Sequence, residues 1–340
     1  MSSANLIDLQ WYTDSRAASR GEPGIRHSYL SSLATVLHHI DPSFDPVWLM
    51  GTSAFAFRIW VNERFCPSAM SVFDWDTLLP EAVEQMGCTC RHIRRLWNER
   101  ELEEERRREA HAGICASIDE GVPAVVWDVN DAEWGVVTGY DDAQRTYQAL
   151  TYEGTAVKLP YDRLGNNGID ILSVILPGGE NSRPREDIVQ RSLQAAMEHA
   201  EQNERLDRSE YQDGLPAYDL WAGLCNRWAM LIDAGRARQV SDDIKAHAVY
   251  LAEHIFSARC YARDYLRLLA EEDESLAAAA EHYADTARLL EAICAFFSSA
   301  ERIEDSTALR DVASAIRAVR TVEKHALTDI RRWLAAPLVV

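Results

Sequence analysis

Two side chains carry most of the chemistry this chain offers. Ser28 follows His27 at the head of an apolar-periodic stretch, and Glu133 stands at the mouth of a strand-like run. A hydroxyl at a helix start has the setting of a nucleophile, because the helix dipole favours an anion developing there. The same position serves a plain N-cap, whose hydroxyl accepts from first-turn N–H groups, and both readings stand. His27 is adjacent in sequence but is not assignable as the base, since neighbours at a helix start point apart. Glu133 shares the first turn of its hairpin with Asp128 and Asp131. Paired carboxylates do acid–base work when their environments push their pKa values apart. Asp131 also reads as an ordinary turn residue; Glu133, inside the strand register, does not.

Other reactive residues carry less. Cys88, Cys90 and His92 alternate, so a strand would set all three on one face. Structural zinc asks for four ligands, usually more widely spaced within each pair, and no second cluster is evident, so no metal is expected. Cys66, before Pro67-Ser68, reads as a small buried hydrophobe, as do Cys115, Cys225, Cys260 and Cys294 among helical residues. Tyr218, Trp221 and Trp228 share one helix at three- and four-residue spacing, the pattern of a core. Gly165-Asn166-Asn167-Gly168 matches neither a P-loop nor a dinucleotide fingerprint, and no cofactor is implied.

The elements that must position these groups follow from periodicity. Residues 1–20 read as a polar arm. Apolar positions from Tyr29 to Ile40 fall at helical spacing, with Ser28 at the N-cap and Asp41-Pro42 as the stop. Asp45-Pro46 opens a second helix, and Asp76 caps a third that runs through Gln85 to Gly87. Cys88–Ile93 reads as a strand. A charged helix over 97–109 and a short one over 112–120 follow. Between Val122 and Leu159, apolar runs alternate with the turn clusters Asn130-Asp131, Asp141-Asp142 and Glu153-Gly154, which predicts an antiparallel meander. Gly135 and Gly139 thin one face of its second strand, as where another element approaches closely. A last strand is expected over 169–176. Residues 180–187 read as a linker, and helices are expected at about 186–205, 213–235, 240–271, 274–299 and 305–333. The spacing predicts an α+β domain over 21–179, then an all-α bundle over 188–335.

Composition bounds the partners. The chain has 340 residues, is 47% hydrophobic and carries a formal net charge of −19. That charge argues against nucleic acid and against an anionic membrane surface. Seven cysteines, an odd number in a long chain, do not form a disulfide framework. The N-terminus lacks the basic start and apolar core of a signal peptide, and no apolar run reaches bilayer length. A cytoplasmic protein is expected.

The strings HSYLSSLATVLHHI, LMGTSAFAFRIW and PAVVWDVNDAEWGVVTGYDD, with LPYDRLG further on, together resemble the N-terminal domain of butirosin biosynthesis protein H and its relatives. GLPAYDLW and SARCYARDYL resemble the helical region often found with it. The resemblance covers roughly residues 20–330. It implies a papain-like, peptidase-C39-like fold with an antiparallel sheet, and transfer of an aminoacyl group from a carrier-protein thioester to an amine in secondary metabolism. In the family a His-Cys dipeptide starts the long helix; here His27 and Ser28 stand there. The family's base histidine opens the strand that reads Glu133-Trp134-Gly135-Val136-Val137 in this chain. Ser28 and Glu133 are therefore the expected catalytic pair, with His27, Asp128, Trp134 and Tyr218 as substrate contacts in a pocket between the two domains. An acyl carrier protein is a possible partner only if a local basic patch, Arg91–Arg95 or Arg106–Arg108, offsets the −19 charge. The other readings are a degenerate module binding a small molecule or a protein, a small amide or thioester hydrolase, and an engineered Ser28 in place of a native cysteine.

Overall fold

The computed structural model describes residues 3–5, 9–130, 132–201 and 210–336. Asp131 lies outside the described residues. The chain opens with β1 (Ser3–Asn5), α1 (Ser15–Ser19), α2 (Ser28–Ile40), α3 (Pro46–Thr52), β2 (Trp60–Asn62), α4 (Trp75–Glu84) and β3 (Cys88–Arg95). It continues through α5 (Glu103–Asp119), β4 (Ala124–Asn130), β5 (Glu133–Asp141), β6 (Thr146–Leu150), β7 (Ala156–Pro160) and β8 (Leu172–Glu180). The last stretch holds α6 (Arg185–Ala200), β9 (Tyr211–Asp213), α7 (Gly214–Asp233), α8 (Asp242–Ala270), α9 (Ala277–Phe297) and α10 (Ser306–Ala335). This is a mixed α+β protein. No described helix is long and apolar enough to cross a membrane.

Two compact units divide the chain. The first comprises Met1–Arg16, His27–Leu49 and Trp75–Arg183; the second comprises Ala17–Arg26, Met50–Asp74 and Pro184–Val340. The first is built on a seven-stranded antiparallel sheet ordered β3-β8-β4-β5-β6-β7, with β1 pairing the far end of β5. The meander is the one the turn clusters predict. Alternation gives the sheet two apolar faces. On one, Ala124, Val126, Val137, Val174 and Leu176 pack against Ala110, Ile114 and Ile118 of α5. On the other, Trp127 and Trp134, direct cross-strand partners, meet Tyr29 of α2 and Trp75 of α4.

Three local differences from the sequence reading have physical causes. The helices expected over 97–109 and 112–120 are one helix, α5, preceded by a 3₁₀ turn at Arg100–Leu102. Gly113 does not break it. It lets α5 approach the sheet, where a Cβ would lie 2.8 Å from Leu176 Cδ1. The last strand begins at Leu172, three residues beyond Ile169, because the preceding loop is tied elsewhere (below). Ser28 is the first helical residue rather than the cap: His27, extended at φ −79° and ψ 117°, takes the N-cap position.

The second unit packs α8 on α9 and α10 on both α7 and α9. It also claims residues 50–74, which a cut at 180–187 would assign to the sheet. The reason is backbone pairing. Trp60–Asn62 pairs with Tyr211–Asp213, and the carbonyls of Ala56 and Arg58 accept from the Arg259 guanidinium at 3.1 and 2.8 Å.

Candidate functional site at the start of α2

The start of α2 meets the mouth of β5. Ser28 is 5% exposed, and its Oγ accepts from the backbone N–H of Trp134 at 3.4 Å, a long bond. Among the described residues, no carboxylate or imidazole accepts a proton from that hydroxyl. Glu133, half-buried and opposite Asn130, immediately precedes the Trp134 N–H. The structure therefore brings Ser28 beside the segment that Glu133 opens. His27 is buried at the N-cap, its ring edge-on to Tyr29 with centroids 6.5 Å apart.

Trp134 lines the same place with its ring in a three-indole cluster. Its centroid is 5.2 Å from that of Trp75 and 5.4 Å from that of Trp127. Gly135 next to it answers the expectation of close approach, since a Cβ there would sit 2.4 Å from the Leu150 carbonyl oxygen. Asp128 is buried, and its carboxylate is fully engaged by backbone. Oδ1 accepts from Ala132 N at 3.1 Å, and Oδ2 accepts from Gly168 N and Ile169 N at 2.7 and 2.8 Å. Its φ of +58°, unusual for a residue with a Cβ, turns β4 toward the hairpin. Asp128 thus holds the loop after β7 against the hairpin. Asn167 donates to the carbonyls of Asp128 and Val129, and the buried Arg95 donates to the carbonyls of Gly165 and Asp170. This is what the Gly-Asn-Asn-Gly loop does: it clamps the hairpin that presents Glu133. Asn167, Gly168 and Arg95 were missed as site-forming residues, because their partners are distant in sequence.

Tyr218 belongs to the second unit. It is fully buried in α7 and donates to Glu323 Oε2 at 2.5 Å. Glu323 in turn receives the Arg259 Nε and Nη2 at 3.0 and 2.8 Å. Burial, opposed by the Arg259 charge and aided by Glu323, holds the Tyr218 phenol well above its ordinary pKa, so it stays protonated.

Other polar clusters lie away from the start of α2. Among the described residues no group of three or more His, Cys, Asp or Glu is placed to hold a metal. His92 is within hydrogen-bond distance of Ser173 Oγ, at 2.8 Å. Burial and the nearby Glu84 push the Cys90 thiol up to about 12. One constellation escaped the sequence reading: His111 and Cys115, one turn apart on α5, with Asp142 4.0 Å from His111 Nε2. An i,i+4 His/Cys pair is its signal. The Cys115 Sγ lies 3.9 and 3.8 Å from the two ring nitrogens, so nearly equidistant that it is aimed along the lone pair of neither. Nδ1 is engaged instead by the Tyr147 hydroxyl at 2.8 Å.

The arginines proposed as a basic patch are largely paired within the chain. Arg91 and Arg106 bind Glu109, Arg94 binds Asp76 and Glu99, Arg95 binds Asp170, and Arg107 binds Glu103 and Glu104. Their charge is neutralised locally. No family model and no curated protein sequence matches this chain.

Proposed function

We propose that the α+β unit is papain-like, of the butirosin biosynthesis protein H kind, and that its Ser28 centre binds a small acyl- or amine-bearing molecule without turning it over. One observation carries this: Ser28 Oγ accepts an N–H and has no described base to take its proton. A serine hydroxyl is a poor nucleophile without a positioned base, whereas a thiol ionises at modest pH. Glu133 in the base position is a weak substitute, since a carboxylate of ordinary pKa near 4 is far from matched to so weak an acid.

A second reading, acyl transfer from a thioester to an amine or hydrolysis of a small amide or thioester, is favoured by Ser28 standing first in a 13-residue helix, where an oxyanion would be stabilised. Under either reading a free small molecule suits the site better than an acidic carrier protein, because the −19 charge has no unpaired Arg91–Arg95 patch to offset it.

The test is turnover of small acyl thioesters by the wild type, Ser28→Ala, Ser28→Cys and the double variant Ser28→Cys/Glu133→His. We expect no turnover above background for wild type and Ser28→Ala. The double variant, which restores a thiol and an imidazole, should gain measurable acyl transfer. Wild-type turnover that Ser28→Ala lowers by about a hundredfold or more would sink the binding reading and establish the second.

A further inference from the structure

The first unit carries a cavity of about 540 Å³, lined by residues 10–16, the exposed end of α2 and residues 42–45. That volume lies within the range of small-molecule sites. Its lining is mostly polar, with the rings of Tyr12, His38 and Phe44 grouped within it. The Tyr12 ring lies 5.0 Å from that of His38 at 57°, and 5.3 Å from that of Phe44 at 87°. The three rings pack on one another as one aromatic cluster in the lining, a surface of the kind that attracts an organic cation. Two carboxylates share the lining. The Asp14 side chain is 3% exposed and that of Asp45 is 37% exposed, so one supplies a buried field and the other is reachable.

An internal cation already uses these carboxylates. Arg16 Nη2 donates to Asp45 Oδ1 at 2.5 Å, and its Nε lies 3.9 Å from Asp14 Oδ1. The same Oδ1 atoms cap backbone: Asp14 accepts from Arg16 N at 2.9 Å and Asp45 from Val47 N at 3.0 Å. Capping accounts for the presence of the carboxylates but not for the aromatic cluster or the open volume beside them. Two carboxylates against one guanidinium leave a formal charge of −1. Burial, with Asp14 adding, pushes the Tyr12 phenol up to about 12, so that ring stays neutral at physiological pH.

We propose that this cavity binds a small organic ammonium, a methylated amine of about the size of choline, with its methyl groups against Tyr12, His38 and Phe44 and its charge toward Asp45 and Asp14. Arg16 then acts as a resident competitor. This inference is independent of the Ser28 centre.

The experiment is calorimetric titration of the full chain with choline and with its uncharged isostere 3,3-dimethylbutan-1-ol. Choline should bind saturably, and the isostere about tenfold or more weakly. Phe44→Leu should weaken choline about tenfold while Phe44→Tyr, which keeps a ring, retains binding; Arg16→Gln should tighten it. If Phe44→Leu does not fold, the isostere and the tyrosine variant still decide. Equal binding of the two probes, no saturable choline binding by either wild type or Arg16→Gln, or weaker choline binding in Arg16→Gln overturns the proposal.

Discussion

The Cys115 thiol and the His111 imidazole would be the first suspects in an activity screen, since they are the right groups one turn apart. Their electrostatics disarm them. Burial pushes Cys115 up to about 11, with Asp142 and Asp119 adding, and burial lowers His111, so the imidazole stays neutral and lends no charge to a thiolate. A raised thiol pKa means the proton is kept until the pH nears that value. At pH 8 about one Cys115 in a thousand is thiolate, and the fraction grows tenfold per pH unit. Alkylation of Cys115 by iodoacetamide, followed by peptide mass spectrometry from pH 7 to 11, should climb through that whole range. A rate that plateaus by pH 8 would show an activated thiol and restore the pair as a reaction centre. The same scale shows what a lone sequence can reach. The contact of Ser28 with the mouth of β5 joins residues 106 apart in sequence, a separation that no local periodicity spans. The role of Asp128 was not legible, because a carboxylate in a turn looks the same whether it faces a ligand or accepts from Gly168 and Ile169, some 40 residues on.

Among elements, the long helices of the second unit were legible nearly to their ends, since each buries one stripe and is punctuated by Gly, Pro or Asp, whereas α5, which carries Gly113, read as two. The strand pair β2–β9 was not: three residues each, 150 apart, carry no periodicity to read. Nor was the polar knot that ties four helices together. Tyr218 of α7, Arg259 of α8 and Tyr283 of α9 all converge on Glu323 of α10, at 2.5, 2.8 and 3.5 Å. Read one helix at a time, Tyr218 and Glu323 are an aromatic and a charge on separate faces. The ion pair is 0% and 3% exposed, so its worth depends on pairing rather than on Coulomb attraction alone. Removing one partner strands a buried charge. Glu323→Ala should therefore cost about 3–5 kcal/mol in urea unfolding of the helical unit, and Arg259→Met/Glu323→Met should recover much of that loss. A Glu323→Ala cost below about 1 kcal/mol would mean that water reaches Arg259 and the knot does not hold the helices.

For the whole molecule, charge is the dominant field. Fifty-four acids against 35 bases leave −19, so acidic charge is in excess even though the structure pairs arginine after arginine with carboxylates. Salt acts on these two populations with opposite sign. It weakens exposed ion pairs, each worth about 0–1 kcal/mol, and it relieves repulsion among the surplus acids. Raising NaCl from about 10 mM to about 0.3 M shrinks the screening length from about 30 Å to about 6 Å. Contact pairs at 3 Å lie inside both lengths, whereas acids 10–20 Å apart lie inside the first and outside the second. The repulsive part should therefore fall more than the attractive part. We expect the thermal midpoint at pH 7 to rise by a few degrees, roughly 2–5 °C, across that range. Calorimetry in NaCl and KCl separates screening, common to both, from binding of one cation. A midpoint that falls with salt would show that the arginine–carboxylate pairs outweigh the surplus charge, and that the acidic surface is more closely neutralised than its formal count implies.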